Sequence, residues 1–244
     1  DIKPSGNYGY PGYPAWLHGQ YLARETRKLL GLDAKPIRSM HELIEGFGVP
    51  VVQLAMHKRI AGATIAVHSA RGIVANLDGD NSNPKVRRFT LAHELGHLLW
   101  DPPPQLRSLR VDSYDEINEL SAKPEGLDPV ESRANGFAIE LLAPAAEVVE
   151  IFNRVGSADT AVLAVMEGFG VSFTAAQHQV RNSVRNILGK DLSFGAAPSS
   201  KDISRNEWNA VEDPVYFPIK GTRDSRRGDF AREVVKAERA RRIF

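Results

Sequence analysis

Cysteine is absent from the 244-residue chain. That absence excludes a disulfide framework, a thiol nucleophile and any zinc site built on thiolates, so a metal here must be held by histidine and carboxylate. Long apolar runs are also missing: nothing approaches the ~18 residues that a bilayer helix requires. Net charge is nearly absent, since 31 Lys and Arg against 30 Asp and Glu leave +1, and so there is no global pull toward nucleic acid or membrane. The start is polar and rich in Gly, Pro and Tyr, which is not the basic-then-apolar order of a secretory signal. With no cysteine and no signal, the expected compartment is the cytoplasm. A chain that opens at Asp1 without methionine leaves room for an upstream segment. What is present is ordinary for a globular protein, 42% hydrophobic and 25% charged residues, enough for one domain of about 180 residues with an appendage.

Residues 1–14 carry Pro4, Pro11 and Pro14 among glycines and tyrosines and read as an extended strap. Helical spacing starts at Ala15 and runs through Leu17, Tyr21, Leu22, Glu25 and Leu29, with Gly31 placed to end it. Ser39 and Glu42 form a capping box that opens a second helix, which ends near Gly46–Gly48. Val49–Leu54, Ile60–Val67 and Ile73–Leu77 read as strands, the last two joined by His68–Gly72 as a hairpin loop. Asp78–Asn83 is turn chemistry, and Asn83-Pro84 supplies an N-cap and a proline for the first helical turn. The next helix reaches about Trp100 and is stopped by Pro102-Pro103-Pro104. Residues 101–127 read as an irregular connection with a short helical piece around Asp115–Ser121. Helices follow from Asp128-Pro129 to Pro144, over Ala145–Arg154 and over Ala158–Phe169. Gly170-Val171-Ser172 then leads into Phe173–Leu188 with a helix-turn-helix flavour. Beyond Gly195 the chain turns polar, with a basic last helix from Asp229.

The chemistry concentrates in Arg87-Arg88-Phe89-Thr90-Leu91-Ala92-His93-Glu94-Leu95-Gly96-His97-Leu98-Leu99-Trp100. Two histidines four residues apart on a helix project from one face, so both imidazoles can hold the same ion. Glu94 is about 100° further round, beside the metal, where it can take a proton from a metal-activated water. Phe89, Ala92, Leu95 and Leu99 form a stripe that can anchor the helix in the core. A catalytic zinc site needs a third protein ligand, leaving one position open. Another histidine or an acid would serve. The Asp128–Pro144 helix offers Glu131 in its first turn, with Asn135 one turn along on the same face. Asp128-Pro129-Val130-Glu131 also fits a capping box, so ligand and cap both remain open readings of Glu131. His178, on a late helix, is a candidate substrate or oxyanion contact. His18, His41, His57 and His68 lie in segments without metal spacing.

The segment from Phe89 to Leu99, followed by Glu131-Ser132-Arg133-Ala134-Asn135-Gly136-Phe137-Ala138-Ile139-Glu140-Leu141-Leu142-Ala143-Pro144, resembles the ImmA/IrrE family of metallo-endopeptidases. Weaker similarity lies in Gly48-Val49-Pro50-Val51-Val52 and Gly72-Ile73-Val74-Ala75-Asn76, and the whole covers roughly residues 15–190. The resemblance implies an α+β fold: a zincin-like metallopeptidase domain with a small mixed or antiparallel sheet and an HExxH helix, followed by a mostly helical C-terminal part. It implies one Zn2+ per chain, with Glu131 completing the set begun by His93 and His97, and Asn135 orienting a ligand. Many members carry a second acid where this chain has Arg133, which leaves Glu131 as the choice. It also implies a protein substrate, a helix-turn-helix repressor cleaved in a stress or mobile-element response.

In domain terms the expectation is a strap over 1–14, a peptidase domain over 15–190 and an extension over 196–244, regulatory or for interaction. An extended substrate is expected to add to the Ile73–Leu77 strand as a sheet edge, since that strand directly precedes the metal helix. The rival reading is a non-proteolytic, metal-binding regulator that sequesters a repressor or binds DNA. Residues 222–244 hold eight Arg and Lys against four Asp and Glu, although charge runs at chain ends are mostly solvated faces. An intact Glu94 argues for the enzyme, because a structural metal site has no use for a base beside it.

Overall fold

A computed structural model describes residues 14–67, 70–101, 108–113 and 128–195, with scattered positions between 233 and 240. Nearly all of the expected strap, the helical piece around 115–121 and almost all of the extension over 196–244 lie outside the described residues. Within the last helix read from Asp229, positions 233, 234, 236 and 237 are helical. The fold is α+β, and its described residues fall into two compact units, one of residues 38–113 with the positions between 233 and 240, and one of residues 14–37 with 128–195. No described helix is long and apolar enough to cross a membrane.

The first unit is a sheet with a helix laid on it. Helix α2 (Met40–Gly46) is capped by Ser39, whose Oγ accepts from the Glu42 N–H at 3.1 Å. Strands β1 (Val51–Leu54), β2 (Ile60–Val67), β3 (Ala70–Asn76) and β4 (Ser108–Ser113) form one mixed sheet in the order β1-β3-β2-β4. β1 runs parallel to β3, and β2 is antiparallel to both of its neighbours. The structure corrects three expectations. Residues 101–127 are not irregular throughout, because β4 pairs along β2 from Ile60↔Ser113 to Ala66↔Ser108. The strand read as Ile73–Leu77 starts earlier and is no edge: β3 is hydrogen-bonded to β1 on one side and β2 on the other. The register Val67↔Ala70 also shortens the hairpin connection to residues 68–69.

Directly paired residues share a face of the sheet. One face therefore carries the rows Val51, Ile73, Thr64 and Gln53, Ala75, Gly62, all of them buried. Against this face lies α3 (Pro84–Trp100), whose N-cap Asn83 accepts from the Lys85 N–H at 3.0 Å. Gly62 of β2, on this face, lets the helix come close to the backbone: a Cβ there would stand 2.9 Å from Thr90 Cγ2. Of the expected stripe, Phe89, Ala92 and Leu95 are buried and Leu99 is half-buried. The helix is in fact buried nearly all round, so its polar side chains need internal partners. The 3-10 turn Gly79–Ser82 supplies some: Asn81 donates to the Ala61 carbonyl at 2.8 Å and accepts from Thr90 Oγ1 at 2.9 Å.

The second unit is helical. Its members are α1 (Ala15–Leu29), α4 (Pro129–Leu142), α5 (Ala145–Val155), α6 (Ala158–Phe169) and α7 (Phe173–Leu188). Helices α5, α6 and α7 end at Gly156, Gly170 and Gly189, each with φ between 64° and 68°, where a side chain would be strained. Ser157 and Ser172 cap α6 and α7 by accepting from Thr160 N–H and Ala175 N–H. Val148, Val162, Val165, Phe169, Ala176 and Val180 pack their common core. Buried Glu140 joins four segments, accepting from Arg24 Nε at 2.9 Å, the Ala145 N–H at 3.2 Å and Gln179 Nε2 at 3.3 Å.

α1 and α4 cross at glycines. A Cβ on Gly19 would stand 2.0 Å from the Arg133 carbonyl oxygen, and one on Gly136 would stand 2.2 Å from that of Trp16. Backbone therefore meets backbone where α4 passes α1. Gly136→Ala and Gly19→Ala should each destabilise the protein by about 1–3 kcal/mol or more in urea unfolding. Gly168→Ala in α6, where nothing lies within 4 Å, should instead stabilise it by about 0.5–1 kcal/mol. A Gly136→Ala protein as stable as its parent would contradict the close crossing.

Candidate metal centre

α3 brings His93 and His97 together because residues four apart stack on one helix face. Both are fully buried, and their Nε2 atoms stand 2.9 Å apart, with the rings edge to face at 75°. His97 is oriented from its other nitrogen: Nδ1 lies 2.8 Å from Oδ2 of Asp101, the buried residue that ends the helix. An imidazole that donates a hydrogen bond from Nδ1–H to a carboxylate leaves the Nε2 lone pair for a ligand. Asp101 escaped the sequence reading, although it stands one helical turn past His97 and so belongs to the same face.

Glu131 occupies the first turn of α4, where it is 3% exposed. The helix cap itself is Asp128, whose carboxylate accepts from the Val130 N–H at 2.9 Å. His93, His97 and Glu131 make a group that could hold a metal ion, each offering one ligand atom, with all three atoms within 4.8 Å of one another. The donor chemistry fits a divalent ion of the zinc kind: two imidazole nitrogens, one carboxylate and no sulfur. Holding an ionised carboxylate away from water costs several kcal/mol in effect, and a cation at the group would offset that cost.

Glu94 follows His93 in sequence but turns toward the sheet. Its carboxylate is fully buried, with Oε2 accepting a hydrogen bond of 2.5 Å from Thr64 Oγ1 on β2. Thr64 is a second residue that the sequence reading missed, because its partner is 30 residues away. Asn135 is buried one turn beyond Glu131 on α4. His178 lies on α7, half-buried, and is not a member of the ligand group. Its pKa is lowered from the usual histidine value by burial first and by the charge of Arg181 second. His18 on α1 is lowered in the same way, by burial and then by Arg133.

Residues 44–181, more than half of the chain, match the family model described as peptidase M78, IrrE N-terminal-like domain. No curated protein matches the chain.

Two outcomes are expected of this geometry. Asp101→Ala should weaken zinc binding about 10–100-fold, read by competition with a chromophoric chelator; unchanged affinity would remove Asp101 from the centre. His178 has a folded-state pKa below its unfolded value, so the unfolded chain binds more protons as pH falls below about 6.5. Stability should therefore drop on the acid side of that value, and His178→Gln should shrink the drop in denaturant titrations at pH 7 and pH 5. Equal drops would contradict the assignment.

Proposed function

The chain belongs to the IrrE N-terminal-like family of M78 peptidases, a metallopeptidase family that acts on protein, and from this we propose that it is a zinc-dependent endopeptidase. We assign His93, His97 and Glu131 to the zinc, Glu94 to general-base catalysis, Asn135 to orienting a ligand and His178 to contact with substrate or an oxyanion. The observation that carries the reading is the three ligand atoms within 4.8 Å of one another, beside a sequence in which a carboxylate follows the first histidine. A Zn2+ ion held by His93, His97 and Glu131 would supply a Lewis acid for the scissile carbonyl and would make a nearby water more acidic.

The rest is done by the chain's own residues. Glu94 takes the attacking water's proton and returns it to the leaving amine. Asp101 keeps His97 in the tautomer that offers Nε2. An extended substrate needs a sheet edge to add a strand. Among the described residues β1 and β4 are the edges, and β4 borders the strand that meets Glu94. β4 is therefore the preferred docking edge. The proposed substrate is a helix-turn-helix repressor, cut in a stress or mobile-element response in the cytoplasm.

Zinc-loaded protein incubated with a helix-turn-helix repressor encoded beside it should yield one discrete cut. Glu94→Gln should keep its zinc and lose cleavage by about 100-fold or more. His93→Ala, His97→Ala and Glu131→Ala should each lower zinc content. An active Glu94→Gln protein refutes the base, and a Glu131→Ala protein that holds zinc like its parent moves the third ligand elsewhere. Binding of the repressor without a cut would favour the sequestering regulator.

A further inference from the structure

A glutamate on a helix has three rotatable bonds, and the helix backbone fixes none of them beyond the first. Freezing such a side chain costs about 1.5–2 kcal/mol of rotamer freedom. Something outside α3 must therefore define where the Glu94 carboxylate sits. Strand β2 meets both of its oxygens. Thr64 Oγ1 donates to Oε2 at 2.5 Å, in the range of charge-assisted O–H···O⁻ bonds. The same hydroxyl lies 3.3 Å from the Glu94 carbonyl oxygen, so it touches the side chain and its own backbone together. Gly62, two residues earlier on the same face, makes room for the other oxygen. A Cβ there would stand 2.6 Å from Glu94 Oε1, 2.9 Å from Thr90 Cγ2 and 3.1 Å from the Val74 carbonyl oxygen.

We propose that Gly62 and Thr64 form a cradle on β2 that sets the position of the Glu94 carboxylate, which makes both of them positioning residues for peptide hydrolysis. Each contributes a different constraint. Thr64 is β-branched and stiff about χ1, so its hydroxyl is a fixed anchor. Gly62 acts by having no side chain, and its φ lies outside the left-handed region, so backbone strain does not explain glycine at this place. β2 lies between β3 and β4, hydrogen-bonded on both sides, and a site built on such an element holds its geometry better than one on a loop. A base displaced by an ångström loses much of its effect, with losses near 100-fold for comparable misplacements.

The proposal rests on Glu94 being the base, and its test separates the two ideas. Crystal structures of zinc-loaded Thr64→Val and Thr64→Ser proteins would be determined, with zinc content by elemental analysis and turnover of fluorescein-labelled casein. In Thr64→Val the carboxylate should shift or split between positions while zinc content stays unchanged. Its kcat should fall about 100-fold with KM unchanged. Thr64→Ser keeps the hydroxyl and should restore both the carboxylate position and kcat to within a few-fold. Gly62→Ala should displace Oε1 with the Thr64 hydroxyl still in place. A Thr64→Val crystal with Glu94 single and unmoved overturns the cradle, whatever the turnover. Should the parent protein leave casein uncut, the crystallographic positions decide alone. An active Glu94→Gln protein would sink the base while the crystals still judge the cradle.

Discussion

Two imidazole nitrogens 2.9 Å apart inside a buried helix face impose the constraint on which this structure turns. Two bare lone pairs at that distance repel, so the arrangement asks for a proton or a cation between them. Asp101 settles part of the matter by holding the Nδ1 side of His97. A proton on His93 Nε2, donated to the bare Nε2 of His97, meets that demand with ordinary tautomers, and a divalent cation shared by both nitrogens would meet it equally. Because the ligand atoms of His93, His97 and Glu131 lie within 4.8 Å of one another, ion binding would also be folding energy.

That constraint explains the sheet beneath the helix. α3 carries two histidines and a glutamate with no exposed surface, and buried polar groups are costly unless they are paired. The sheet answers with small residues where the helix must approach and with polar ones where it needs partners. Asn81 bridges the Ala61 carbonyl and Thr90, and Thr64 reaches Glu94. The helical unit solves a different problem with the same means. Gly19 and Gly136 let α1 and α4 touch backbone to backbone, and Glu140 gathers donors from α1, α7 and the start of α5.

Much of this was legible in the sequence, for identifiable reasons. Ser39 and Asn83 marked helix starts, and both cap as read, because capping depends on neighbours two or three residues away. The pair His93 and His97 was legible because helix geometry alone places i and i+4 together. Strand order was not. Nothing local says that β3 inserts between β1 and β2, so the expected edge at Ile73–Leu77 is an interior strand. β4 does alternate Leu109 and Val111 with Arg110 and Asp112, but six residues after a triple proline give a weak signal. Thr64 and Gly62 were hidden for the same reason as strand order: their meaning comes from a partner some 30 residues on. For Glu131 the local sequence allows a ligand or a member of a capping box, and the family resemblance is what mainly favours the ligand; Asp128 supplies the cap of that helix.

Anomalous diffraction across the zinc absorption edge, from crystals of zinc-loaded protein, tests the central claim most directly. One peak per chain, bonded to Nε2 of His93, Nε2 of His97 and a carboxylate oxygen of Glu131, is the predicted result. A peak bonded to other residues, or no peak from protein saturated with zinc, would contradict it.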